Sequence, residues 1–263
     1  PIWTADLGDE AVTVAKTLCQ RAPAFLRVNI RKTTIEKAQN ILSGDGIQTV
    51  KHPSIITALR VTEGQNKIKN CMAYKDGFVE IQDASSQASV IDLPRDSNLK
   101  ILDYCCGSGG KSLALDAWTE GKIFAYDISP DRSFNLKTRA ERSNAQITKI
   151  SKPIKEMFDV IFCDVPCSGS GSWRRDPDGK WKLNEHSWQN LLNTQIEVLD
   201  ETKKLLKTDG ILIYATCSVL LSENYKQLEK FCSINPEFEI KKAHQFLPSD
   251  LGDGFFYGFL KKK

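Results

Sequence analysis

The stretch "LKILDYCCGSGGKS" fills residues 99–112, and its reading decides the fold. An apolar, β-branched run reads as a strand, a glycine-rich turn follows, and a helix-like stretch comes next. A strand, turn and helix in that order form a cradle for a phosphate, a dinucleotide or another nucleoside-bearing ligand. A phosphate loop of the G-x-x-x-x-G-K-[ST] type would use Gly110, Lys111 and Ser112, but its first glycine falls at position 105, which is Cys105. The full G-x-G-x-x-G spacing of a dinucleotide turn is also missing.

Working outward, the flanking pattern repeats. "KIFAYDI" (122–128), "FDVIFCDV" (158–165) and "GILIYATCS" (210–218) are short apolar runs bounded by Gly or Asp. Helix-length segments such as "QNLLNTQIEVLDETKKLL" (189–206) lie between them. Alternation of this kind predicts an α/β fold with a doubly wound, mostly parallel sheet. "GFFYGFL" (254–260) reads as the last strand. Before the polar stretch "DASSQASVIDLPRDSN" (83–98) the pattern is different. There "AFLRVNI", "GIQTV", "TALRV" and "GFVEIQ" read as strands and "TTIEKAQNIL" as a capped helix ending at Gly44. The expected organisation is a helical segment or linker over 1–20, a small α+β domain over 21–83, and a large domain over 84–263. Arg27, Arg31 and Lys32 are the small domain's candidates for touching phosphate.

Composition narrows the classes. A chain of 263 residues with 41% hydrophobic and 26% charged residues can bury a substantial core. The net charge of +3 permits a nucleic-acid partner without arguing for one. Without an apolar run of membrane-spanning length or a signal-peptide pattern, a cytoplasmic enzyme with reduced cysteines is expected. Eight cysteines contain no C-x-x-C pair, and the three histidines stand far from any cysteine cluster, so no metal site is expected.

In open α/β sheets, ligands bind beyond the carboxyl ends of the strands. Those ends carry the glycine turn, Asp127, Asp164-Val165-Pro166-Cys167 and Thr216-Cys217-Ser218. Asp127 lies twenty residues after Gly107, the position from which a carboxylate accepts hydrogen bonds from a ribose hydroxyl pair. Asp164 after "VIFC" also fits the metal-binding aspartate of a nucleotide hydrolase, but that alternative gives no task to Asp127, Cys167 or Cys217. A structural cysteine belongs within a strand, as Cys163 does; Cys19, Cys71 and Cys232 read as small apolar residues. Cys167 and Cys217 sit just past strands among small residues, where a thiol of lowered pKa can act as a nucleophile. Farther on, "GSWRRDPDGKWK" (171–182) interleaves Trp173 and Trp181 with Arg174, Arg175, Lys180 and Lys182, a mixture suited to unpaired RNA.

"LDYCCGSGGK", "YDISPDR", "FDVIFCDVPCSGSG", "YATCS" and "GDGFFY", with "QDASSQ" at 82–87, together resemble the Fmu/Sun family of S-adenosylmethionine-dependent RNA cytosine-5 methyltransferases. The resemblance spans residues 21–263 and is most specific in the paired "PC" and "TC" cysteines. It implies a Rossmann-like class I methyltransferase preceded by a small RNA-binding domain, acting as a monomer on RNA, ribosomal ahead of transfer RNA, without metal or membrane. Carried over, Cys217 is the nucleophile that attacks carbon 6 of cytosine, Cys167 assists release, Asp164 bonds the base edge, and Lys111 lies near the reacting groups. The implied cofactor loop is Cys105, Cys106, Gly107, Ser108, Gly109, Gly110 and Lys111, with Asp127, Arg132 and Asp164 beside it. The acidic residue that many relatives place near the adenine has no clear counterpart in "NAQITKISKPIKEMFDV" (144–160). A non-catalytic RNA-binding or assembly factor that keeps the fold is the alternative reading.

Overall fold

Two sheets organise the chain in the computed structural model, which describes residues 2–96 and 98–263. Pro1 of the amino-terminal segment and Ser97 of the polar stretch lie outside the described residues. The chain opens with two helices, α1 (Ile2–Leu7) and α2 (Glu10–Leu18). They are tied to the carboxyl-terminal half by Asp6, whose carboxylate accepts from the Ser222 amide at 2.9 Å and from Lys226 Nζ at 3.0 Å.

The small sheet is antiparallel, in the order β2-β3-β1-β4, with β1 at Ala24–Val28, β2 at Gln48–Lys51, β3 at Ala58–Glu63 and β4 at Val79–Ile81. Helix α3 (Ile35–Gly44) covers one face, and the Thr34 hydroxyl caps it by accepting from the Lys37 amide at 3.3 Å. Strand β1 shows why both its faces count. Leu26 and Val28 point into the core beneath α3, whereas Phe25, on the opposite face, enters the core of the large sheet. The short helix α4 (Met72–Lys75) precedes β4.

The large sheet runs β10-β11-β9-β8-β5-β6-β7. Strands β5 (Lys100–Asp103), β6 (Lys122–Ala125), β7 (Ile147–Lys149), β8 (Phe158–Asp164) and β9 (Leu206–Thr216) are parallel. β11 (Phe255–Lys262) pairs antiparallel with both β9 and β10 (Phe238–Phe246). Helices α5 (Ala84–Ile91), α6 (Gly110–Trp118), α7 (Leu136–Ser143), α8 (Gly179–Lys182), α9 (Glu185–Thr202) and α10 (Tyr225–Ile234) complete the chain. One core packs α5 and α6 against a sheet face together with Phe25; the other packs α9 and α10 against the opposite face. From β5 the chain winds outward to β6 and β7, then returns to β8 on the other side of β5. That reversal opens a crevice past Asp103 and Asp164, where a doubly wound sheet receives its ligand.

Three elements depart from the sequence reading. The polar stretch at 83–98 contains α5, capped by the Asp83 carboxylate on the Ser85 amide at 3.0 Å, because Ala84, Ala88 and Val90 pack between the two sheets. The other two are β7, only three residues long, and β10, whose Lys241, Lys242 and His244 mask a strand that needs only one buried face.

Candidate active site

The glycine turn depends on backbone freedom at two positions. Gly107 (φ +49°) and Gly109 (φ +87°) occupy the left-handed region, and a Cβ on Gly109 would stand 2.2 Å from Leu136 Cδ1. At Gly107 and Gly110 an added Cβ would meet nothing within 4 Å, so this part of the turn faces open space. Asp127 braces the turn from β6: Oδ2 accepts from the Gly107 amide at 2.8 Å and Oδ1 from the Ser129 amide at 2.9 Å. The Ser108 carbonyl and hydroxyl both accept from Arg139 Nη1, at 2.7 and 2.8 Å.

The turn's two cysteines line the cleft and pack beneath the turn. Burial pushes the Cys105 thiol well above its ordinary value and the Cys106 thiol up to about 12. Beneath them Asp103 is fully buried, and burial lifts its carboxyl to about 7. Its Oδ2 accepts from the Ser112 hydroxyl at 2.5 Å, and its Oδ1 has no protein partner.

Lys111 sits in the first turn of α6, where a phosphate-loop lysine would stand, yet it serves a carboxylate. Its Nζ donates to Asp164 Oδ2 at 2.9 Å and Ser86 Oγ at 2.5 Å, and lies 4.6 Å from the centre of the Phe255 ring. Ser86 comes from "QDASSQ", so the segment just before the large sheet contributes directly to the site. The Lys111–Asp164 pair leaves Asp164 about one-third exposed to the crevice.

Across the crevice, β8 and β9 are parallel neighbours with Asp164 beside Ala215, so the loops that follow them run side by side. This brings Cys167 Sγ to 3.4 Å from Cys217 Sγ. Their contact shifts the two thiols in opposite directions. The hydrogen bond with Cys167 lowers the Cys217 thiol below its ordinary value, aided by the Ser172 hydroxyl and the Lys111 ammonium. The same bond, with burial, raises the Cys167 thiol well above its own. The backbone that carries them is closely fitted: Gly171 donates its amide to the Cys217 carbonyl at 2.9 Å, and a Cβ on Gly171 would stand 2.2 Å from the Gly254 carbonyl oxygen. A cleft of about 560 Å³ joins the glycine turn, Lys111, Asp164, Cys167 and Cys217, a size suited to a small molecule. Arg132 lies at its edge. An annex that shares Cys105, Arg132 and Pro166 with the cleft is walled by Tyr104, Tyr126 and Ile128, with Glu197 and Glu201 of α9 nearby.

Several of the cations that the sequence offered for RNA or phosphate bond to other parts of the protein, with Arg31 and Arg175 still partly exposed. Arg27 is buried; its Nη1 donates to Gln82 Oε1 at 2.5 Å and to the Gly110 carbonyl at 3.0 Å. Arg31 donates to the Thr119 carbonyl at 2.5 Å, and Lys32 to the Asp76 and Arg142 carbonyls. These three join the small sheet to the large one. In "GSWRRDPDGKWK", Trp173 stacks on Trp3 with centroids 5.5 Å apart, Arg174 is buried against Asp253 at 2.6 Å, and Arg175 bonds Asp253 and Asp83. Lys180, Lys182 and the 81% exposed Trp181 remain available on the surface. A residue that the sequence reading passed over is Glu223, fully buried behind the two thiols, although it stands only six residues past Cys217.

A Rossmann-like sheet with a glycine turn, a carboxylate at the end of the second strand and reactive groups at its switch point defines a methyltransferase fold. The chain belongs to the 16S rRNA methyltransferase RsmB/F family, whose model matches residues 90–261, while a model of the RsmF/B-like ferredoxin-like domain matches residues 2–67. Ribosomal RNA small subunit methyltransferase B of Salmonella arizonae is 34% identical over 93% of this chain and 61% of its own length. The Citrobacter koseri protein of the same name is 34% identical over 97% of the chain and 63% of its own length. The chain therefore spans about three fifths of the length of these relatives. Among solved structures, PH0851 superposes with a TM-score of 0.92 at 26% identity, over 98% of this chain and 64% of that one. NSun6 from Pyrococcus horikoshii, solved with SFG, shares the fold with a TM-score of 0.85 at 16% identity, over 99% and 96% of the two chains. Among the described residues no helix is long and apolar enough to cross a membrane.

Proposed function

We propose that this chain transfers a methyl group from S-adenosylmethionine to carbon 5 of a cytosine in RNA, ribosomal RNA ahead of transfer RNA. The observation that carries the reading is the facing pair Cys167 and Cys217, 3.4 Å apart beside the Asp164–Lys111 pair. Residues 84–263 form the catalytic unit in this reading, and residues 21–83 the small unit that accompanies it.

The cleft suits the methyl donor. Gly107 and Gly110 present bare backbone to open space, the amino end of α6 faces the same side, and Asp127 is fixed where a ribose would lie. Cys105 to Lys111, Asp127 and Arg132 would hold the donor, and the annex between Ile128 and Pro166 would take its flat base. When bound, S-adenosylmethionine supplies an electrophilic methyl group.

Carbon 5 of cytosine is too weak a nucleophile to accept that methyl unaided. In the proposed mechanism the Cys217 thiolate forms a bond to carbon 6, and the electron pair of the 5,6 double bond moves toward carbon 5, which bonds the methyl carbon as the donor sulfur departs with its electrons. Carbon 5 then gives up its proton to a solvent water in a release that Cys167 assists, the double bond re-forms, and the sulfur–carbon 6 bond breaks to free Cys217 as the thiolate. Covalent catalysis divides one difficult step in this way. Asp164 bonds the base edge in the adduct, and Lys111 holds Asp164 in place.

Transfer of labelled methyl from S-adenosylmethionine to unmodified total RNA, followed by nucleoside analysis, tests the reading. The native chain should form 5-methylcytosine, Cys217→Ala should form none, and Cys167→Ala should accumulate a covalent RNA adduct. A folded chain that binds the donor but methylates neither ribosomal nor transfer RNA precursors would refute it.

A further inference from the structure

Among the described residues, Glu223, in the turn that leads into α10, is the one carboxylate reached by both thiol-bearing loops, and it is fully buried. From the Cys167 loop, the Ser168 amide donates to Oε1 at 2.8 Å and the Ser168 hydroxyl to Oε2 at 2.5 Å. From the Cys217 loop, the Ser218 hydroxyl donates to the same Oε2 at 2.5 Å. Gln195 of α9 donates to Oε1 at 3.2 Å and to the Pro166 carbonyl at 3.0 Å, so it ties the clamp to the residue before Cys167. A buried charge with no lysine or arginine against it is costly unless such donors surround it. Fold stability alone would favour an apolar residue in its place.

We infer that Glu223 is the positioning residue that fixes the two thiols relative to each other: it locks Ser168 and Ser218 together behind Cys167 and leaves Cys217 as the thiol that attacks. The inference rests on the cysteine roles proposed above. Cys167 faces Cys217, Glu223 and the phenol of Tyr214 from β9; Cys217 faces Cys167, Asp164 and Lys111. Glu223 thus opposes ionisation of Cys167, while the Lys111 ammonium favours ionisation of Cys217.

Iodoacetamide alkylation of the whole chain between about pH 6 and pH 10, with each cysteine quantified by peptide mass spectrometry, reads this directly. In the native chain Cys217 should react at least about tenfold faster than Cys167 near neutral pH. In Glu223→Gln the Cys167 profile should move to lower pH by about one unit, so the ratio narrows, and Glu223→Asp should restore it in part. With RNA and donor, Glu223→Gln should lower kcat and leave KM nearly unchanged. A folded Glu223→Gln chain with both native profiles overturns the inference. Where Glu223→Gln does not unfold cooperatively, Glu223→Asp decides: a Cys167 profile displaced part-way is expected, and the native profile overturns the inference. The alkylation needs neither RNA nor donor, so an inactive native chain would refute the methyl-transfer reading and leave this one standing.

Discussion

Asp103 and Asp164 close two adjacent parallel strands, yet their surroundings oppose each other. Asp164 has a lysine; Asp103 has one hydroxyl and a bare oxygen. Burial raises the Asp103 carboxyl to about 7, above the value of an unfolded aspartate near about 4. The folded chain therefore keeps a proton that the unfolded chain has released, and this part of the stability is full at low pH and is lost as pH rises through that window. The loss is on the order of 4 kcal/mol at most. Asp103→Asn should consequently gain on the native chain in urea-unfolding free energy between about pH 4.5 and pH 8. A difference between the two chains that does not change with pH would discard this account. The grouping of residues was legible where a polar or thiol group follows a strand, as with Cys167, Cys217, Asp127 and Asp164. It was not legible for Arg27, because a charged residue in a strand does not reveal which neighbour covers its face.

Elements place these groups only as well as their backbones approach one another. Gly171 has no unusual torsion; its requirement is space, since its Cα lies against the Gly254 backbone at the start of β11. Backbone cannot swing aside as a side chain can. Gly171→Ala should cost about 1–3 kcal/mol and slow methyl transfer by spreading the two cysteine loops. Gly110→Ala, whose Cβ would meet open space, should perturb donor binding more than folding. Equal urea midpoints for Gly171→Ala and the native chain would contradict the packing argument. The β-branched central strands were legible from composition because both their faces are covered. α5 was hidden by its serines and alanines, and β10 by its charges, since an edge strand needs apolar residues on one side only.

At the scale of the molecule, the small and large sheets share a network of hydrogen bonds. Besides Arg27, Arg31 and Lys32, Asn29 Nδ2 donates to the Ser143 carbonyl at 3.1 Å, and Glu80 of β4 pairs with Arg139 and Arg142 of α7 at 3.4 and 2.5 Å. Arg27→Met should lower stability by about 2–3 kcal/mol and weaken S-adenosylmethionine binding, because the Gly110 carbonyl at the donor loop loses its partner. Calorimetry with the donor, set beside thermal unfolding, would show both effects, and an unchanged dissociation constant would separate the small sheet from the donor loop. The net charge of +3 did not foretell this arrangement, because many of the basic side chains it counts are engaged within the protein. The bond from Arg27 to Gly110 also bears on inheritance. A small sheet taken from a relative that lacks an arginine at this position would leave the Gly110 carbonyl without its partner, so the two halves are fitted to one another through this bond.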